Sequence, residues 1–175
     1  MSRKLRNEEL NRISVEKFKK VSKSPIVLVL DNIRSMHNVG AIFRTSDAFL
    51  IDKIYLCGIT AQPPHRDIRK TALGAEESVE WEYVQDAVGL VKNLTDYDIY
   101  ALEQTENSIP LRNFKNSGKK IALIVGNEVD GVQQELLDFC DASIEIPQFG
   151  TKHSFNVSVS AGIALWEIFN KLHES

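Results

Sequence analysis

Ile26-Val27-Leu28-Val29-Leu30 is a run of five apolar residues with no polar alternation. A strand with one wet face alternates apolar and polar side chains. A strand covered on both faces does not, and that is the pattern of parallel sheets packed between helices. Ser24-Pro25 precedes the run, and the residue before a proline resists helix, so the strand starts after a break. Outward from it, the same reading places strands at Ile54–Cys57, Val79–Tyr83, Ile99–Leu102, Ile121–Val125 and Ser143–Ile146. Helical segments fall between them at Val39–Leu50, around Ile68–Leu73, and at Ala87–Leu94, Gln133–Phe139 and Val157–Leu172. This alternation predicts an α/β domain with a mainly parallel sheet flanked by helices. Ahead of the sheet, residues 7–20 are expected to form an amphipathic helix with Leu10, Ile13, Val15 and Phe18 as its apolar set. The chain therefore divides into a basic, helical extension at 1–24 and a domain at 25–175, with no internal repeat.

At 175 residues and 43% hydrophobic, the chain has enough material for one core of its own. No apolar run approaches the ~18 residues that a membrane span needs. The start is charged from Arg3 onward and has no apolar signal core, which points to the cytoplasm. Cys57 and Cys140 lie far apart in apolar company and read as small buried hydrophobes in a reduced protein. Net charge is −3, but residues 1–24 carry +5 and the remainder −8. A basic arm on an acidic body points to local phosphate contact by the arm; a merely solvated helix is the alternative. A second basic patch, His65-Arg66-Asp67-Ile68-Arg69-Lys70, follows Pro63-Pro64 in an expected loop.

The last helix is apolar on two sides. Val157, Ala161, Leu165 and Ile168 form one stripe; Val159, Ile163, Trp166 and Phe169 form another. Two stripes need two covers. One is the sheet; the other is a second copy of the chain or, in the competing explanation, the N-terminal helix. Ser158, Ser160, Ala161 and Gly162 are small enough for close backbone approach.

Three polar clusters stand where strands run out, and ligands of open α/β sheets bind just there. The first is Asn38-Val39-Gly40-Ala41-Ile42-Phe43-Arg44, a turn opening a helix whose core face is Val39, Ile42, Phe43, Ser46 and Phe49. Arg44 falls off that face and is free to meet a phosphate, or to pair with Asp47 or Asp31. The second is Gly126-Asn127-Glu128-Val129-Asp130-Gly131, whose glycines permit a tight turn and close approach to a ligand. Glu128 inside it either meets a substrate or accepts backbone N–H groups. The third runs from Ile146-Pro147 through Gly150 to Ser154-Phe155-Asn156-Val157-Ser158, where Ser154 or Asn156 is available to cap the last helix. No G-x-G-x-x-G follows the first strand, no Walker lysine loop is present, and the four histidines and two cysteines show no zinc spacing, so no metal is implied. His153-Ser154 are sequence neighbours, which rarely have the geometry of a nucleophile and its base.

In this order, from about Pro25 to about Leu172, the three clusters closely resemble the motifs of the SpoU/TrmH family of RNA ribose methyltransferases. The resemblance implies the SPOUT fold, with a C-terminal trefoil knot, a homodimer, and S-adenosylmethionine held by the second and third loops. It implies methyl transfer to a ribose 2′-hydroxyl of RNA, tRNA ahead of ribosomal RNA, without a metal. Arg44 matches the residue that helps remove the hydroxyl proton. A guanidinium stays protonated at neutral pH, so this needs either a greatly altered arginine or a substrate phosphate that takes the proton. Asn38, Glu128 and Asn156 match the surrounding catalytic shell. Leu102, Gly126, Ile146, Ser154 and Phe155 match donor-contacting positions, with Phe155 standing where the family usually has leucine or methionine. A catalytically silent RNA-binding dimer and a small-molecule methyltransferase are the other classes open to such a chain.

Overall fold

A computed structural model describes residues 2–173. Seven strands form one sheet: β1 (Ser24–Asp31), β2 (Ile51–Cys57), β3 (Trp81–Val84), β4 (Tyr97–Leu102), β5 (Ile109–Pro110), β6 (Lys120–Val125) and β7 (Ala142–Glu145). Their order is β3-β2-β1-β6-β4-β7-β5, and every pairing is parallel. The expected sheet is present. β1 explains why. Ile26, Leu28 and Leu30 point into one apolar cluster and Val27 and Val29 into the other, all at most 1% exposed. β6 divides in the same way, Ile121, Leu123 and Val125 against Ala122 and Ile124. Neither central strand has a face left for water.

Seven helices join the strands: α1 (Val15–Phe18), α2 (Met36–Ala48), α3 (Arg66–Ala72), α4 (Ala75–Ser78), α5 (Ala87–Asn93), α6 (Gln134–Leu137) and α7 (Val157–His173). The larger cluster is covered by α2, α3 and α7, the smaller by α5 and α6. Ser35 caps α2 by accepting the Asn38 N–H at 3.3 Å. A Cβ on Gly40 would stand 2.1 Å from Thr71 Oγ1 and 2.3 Å from the Ile68 carbonyl oxygen, so the missing side chain is what lets α3 cross α2.

The N-terminal expectation of one helix over 7–20 fails. The segment holds a 3₁₀ turn at Asn7–Leu10, then the separate α1. Asn11 sits in the left-handed region (φ 49°), which ends the first turn, and Ser14 starts the second by accepting the Lys17 N–H at 3.3 Å. Only Phe18 of the expected apolar set is buried. Through Phe18 the segment joins the larger core cluster, and α1 packs on α4, so it does not supply the cover for α7. No helix among the described residues is long and apolar enough to cross a membrane.

Candidate functional site

Leu30, Val125, Leu102 and Ile144 lie side by side in register across β1, β6, β4 and β7. The loops that follow these strands therefore open at one place. Asp31, fully buried at the end of β1, anchors the loop after β6 by accepting the Gln133 N–H at 2.9 Å. Asn127 and Gly131 exchange two backbone hydrogen bonds of 3.0 Å, which closes residues 126–131 into a tight loop. Asn127 Oδ1 accepts the Val129 N–H at 2.8 Å, and its Nδ2 donates to the Asn32 carbonyl at 2.8 Å. A Cβ on Gly126 would lie 2.2 Å from the Gly131 carbonyl carbon and the Val132 nitrogen. The close approach that makes this position a glycine is to its own loop. Glu103, after β4, holds the far side of that loop: it accepts the Val132 N–H at 3.0 Å and the Gln104 N–H at 2.8 Å.

Two loop residues and one from the first turn of α2 then form one chain of hydrogen bonds. Glu128 accepts the backbone N–H groups of Arg34 and Ser35 and the Asn38 side-chain amide, each at 3.0 Å. Asn156 Nδ2 donates to Asn38 Oδ1 at 3.0 Å. Asn156 Oδ1 caps α7, accepting the Ser158 N–H at 3.0 Å and the Ser158 hydroxyl at 2.6 Å. Both ends fix the direction of this chain, because a carboxylate only accepts and a helix N-terminus only donates. Asn38 in the middle is buried. At Glu128, partial burial pushes the carboxyl pKa up, but hydrogen bonds from the Arg34 N–H, the Asn38 amide and backbone neighbours outweigh it. The net position is below the usual glutamate range.

Beside this chain is a cavity of about 410 Å³. Leu102, Ile146 and Phe155 give it apolar surface, and Gly126, Glu128, Ser154 and Asn156 also line it. Its wall includes the carboxylates Glu103, Glu128, Asp130 and Glu145, and no lysine or arginine. The loop 146–156 is tied down by Gln104 Nε2, which donates to the His153 carbonyl at 2.8 Å. Among the described residues no group of three or more His, Cys, Asp and Glu side chains is arranged to hold a metal ion.

Of the sequence-derived candidates, Leu102, Gly126, Glu128, Ile146, Ser154, Phe155 and Asn156 line the cavity, and Asn38 joins them from behind through its hydrogen bonds. Arg44 is not in the wall. It stands exposed on α2, with no hydrogen bond or ion pair among the described residues. Of the two sequence readings of Glu128, the acceptor of backbone N–H groups is present. Asn156, not Ser154, caps the last helix. Sequence reasoning missed Asn127 as the organiser of its loop and Asp31 as the anchor. An asparagine two to three residues ahead of the N–H groups that its side chain accepts was the available signal for the first. The second had none, since Asp31 and Gln133 meet only in the fold.

A model of the SpoU rRNA Methylase family matches residues 25–166. The chain is 33% identical over 147 residues to the 23S rRNA (guanosine-2′-O-)-methyltransferase of Neisseria meningitidis serogroup B, covering 84% of this chain and 59% of the relative. The chain thus spans less than two thirds of that relative's length. A TrmH/SpoU tRNA modifying enzyme from A. aeolicus superposes with a TM-score of 0.78 at 30% identity, over 91% of this chain and 81% of the other. An AdoMet-bound rRNA methyltransferase from Sinorhizobium meliloti superposes with a TM-score of 0.80 at 25% identity, over 89% of this chain and 60% of the other.

Proposed function

Because the chain belongs to the SpoU rRNA methylase family, we propose that it methylates a ribose 2′-hydroxyl of RNA with S-adenosylmethionine as donor. The observation that carries this reading is the Glu128–Asn38–Asn156 chain of hydrogen bonds, set beside a cavity at the strand ends. The cavity's lining fits the donor. Four carboxylates without a lysine or arginine favour a cationic ligand and disfavour a polyphosphate. Leu102, Ile146 and Phe155 would flank the adenosine, with Gly126 and Ser154 beside them. The donor, when bound, supplies an electrophilic methyl carbon on a positively charged sulfur.

The protein's own residues then have separable tasks. Glu128, Asn38 and Asn156 hold the second loop, the start of α2 and the start of α7 at fixed distances, which keeps the acceptor's approach constant. The acceptor hydroxyl must shed its proton as its oxygen reacts. Arg44, exposed and outside the acidic wall, holds the substrate phosphate that receives this proton. In this reading tRNA comes ahead of ribosomal RNA as substrate; the basic residues of 1–24 and the likeness to a tRNA modifying enzyme support it, and the relatives named for ribosomal RNA keep that substrate as the alternative.

The working unit in this reading is a homodimer in the cytoplasm. Val159, Ile163 and Trp166 remain exposed on α7 at 50%, 38% and 57%, an apolar stripe that a second copy would cover. The knotted threading of the C-terminal segment, implied by the family, belongs to the same proposal.

The test uses labelled S-adenosylmethionine with separate pools of unmodified tRNA and ribosomal RNA, followed by digestion to nucleosides. The expected product is a 2′-O-methylnucleoside from the tRNA pool. Arg44→Ala is expected to lower its formation at least about 10²-fold, within the usual contribution of proton-transfer catalysis, with donor affinity unchanged. Donor binding without label in either pool would overturn the enzymatic reading and leave an RNA-binding dimer.

A further inference from the structure

A second concavity, of about 750 Å³, is bounded by Pro63–Arg66, α3, α4 and the start of β3, and shares no residue with the first. Arg66, Arg69 and Lys70 occupy positions i, i+3 and i+4 of α3, so they share one exposed face, while Ile68 and Ala72 are buried behind them. Arg69 is 3.4 Å from Glu77, both well exposed, a pairing that water largely screens. Arg66 and Lys70 have no ion pair among the described residues. Against Glu76 and Glu77 the three cations leave the lining at +1, on a body that is net acidic outside its N-terminal arm.

Two more features separate the groove from an ordinary solvated helix face. Pro63, Pro64 and Trp81 line it, and the Trp81 ring is partly buried against the main core, which holds it still. Glu76 also lines it, and its Oε2 is buried with no hydrogen-bond partner among the described residues. That oxygen is closed to a ligand; Oε1 is not buried and has no hydrogen bond among the described residues, which leaves it as the acceptor that a ligand's N–H can reach. Cations, a fixed aromatic ring and one accessible carboxylate oxygen together match one kind of occupant. The cations match a phosphate, the ring matches a stacked base, and the oxygen matches a base amino edge.

We propose that this groove binds one unstacked guanine nucleotide from a single-stranded part of the RNA substrate. Its phosphate meets Arg66 and Lys70, its ring lies against Trp81, and its edge donates to Glu76. Guanine is favoured because its N1–H and N2–H stand side by side and can both converge on the one accessible oxygen, Oε1. An acidic peptide would satisfy the cations but has no ring for Trp81 and no such edge for Glu76. The proposal rests on the RNA-substrate reading above, extending it to a contact outside the reaction centre.

The chain has two tryptophans, so Trp166→Phe leaves Trp81 as the sole indole reporter. In that background, a short uridine-rich oligoribonucleotide holding one guanosine is expected to quench Trp81. The same oligonucleotide with inosine, which lacks the N2 amino group, is expected to bind more weakly. Arg66→Glu with Lys70→Glu is expected to weaken every oligonucleotide about tenfold and to flatten the salt dependence. Glu76→Gln is expected to remove the preference for guanosine while sparing the all-uridine oligonucleotide. In the methyl-transfer assay the double charge reversal is expected to raise KM for RNA, with kcat and donor affinity unchanged. An unquenched Trp81, or unaltered KM and oligonucleotide binding in the double variant, overturns the groove even when the protein methylates RNA normally. Equal quenching by polyglutamate overturns it in favour of a protein partner. If the protein methylates no RNA, the functional reading fails, and oligonucleotide binding alone still decides the groove.

Discussion

Glu128 is an exposed residue whose carboxylate is nevertheless held by three hydrogen bonds from a segment some ninety positions earlier in the chain. Its lowered pKa makes the contact pH-dependent, and the sign follows from linkage. In the unfolded chain glutamate titrates near ~4.3. The stabilisation is complete above that value and is lost as pH falls through the lower native one. Glu128→Gln is therefore expected to lower the urea midpoint at pH 7 and to leave the variant less sensitive to acid than the parent as pH falls from about 5 through ~4.3 toward the lower native value. Urea titrations across that range check both. Parallel acid slopes would show that the carboxylate is not held as described. The two cysteines behave in the opposite way: burial pushes both thiols up to about 12, which fits their reading as small apolar residues.

At the scale of elements, the α2–α3 crossing has the widest influence, because α2 carries Asn38 and Arg44 while α3 carries Arg66 and Lys70. Gly40→Ala gains about 1 kcal/mol of helix propensity. It also drives a methyl group into the Ile68 carbonyl, which is backbone and yields little, at about 1–3 kcal/mol. A net loss of stability is expected, read as a lower thermal midpoint with the sheet retained; a gain would mean that the helices are not in such close contact. The elements also show what could be read beforehand. Ile26–Leu30 declared a doubly covered strand because burial on both faces removes alternation. The 7–20 segment misled because its sparse apolar residues fit a helical period, while Asn11 and Ser14 placed a break that periodicity does not weigh. β5 and α4, with two and four residues, are too short to carry a period. The third loop declared a cap, yet not its partner, since Asn156 meets Asn38 across 118 positions. Arg44 was legible as an outward-facing residue, and its exposure agrees.

Over the whole molecule, the uncovered stripe of α7 bears on assembly. Phe49 packs against Trp166 and Phe169, with ring centroids 6.0 and 5.4 Å apart, so Trp166 is held by one edge and open at the other. Trp166→Glu is expected to convert a dimer into a folded monomer, seen as a halved mass in sedimentation with an unchanged far-ultraviolet spectrum. A parent that already sediments as a monomer would remove the dimer from the proposal. The strand order has a different consequence, for how the chain comes into being. β1 lies between β2 and β6, and β6 begins 89 residues after β1 ends. At about 5–20 residues per second, roughly 5–18 s of synthesis pass before that neighbour exists. Through this interval the nascent chain presents the ribosome's surroundings with an open edge of a strand that the finished sheet covers on both faces, a hazard set by the order in which the strands are made.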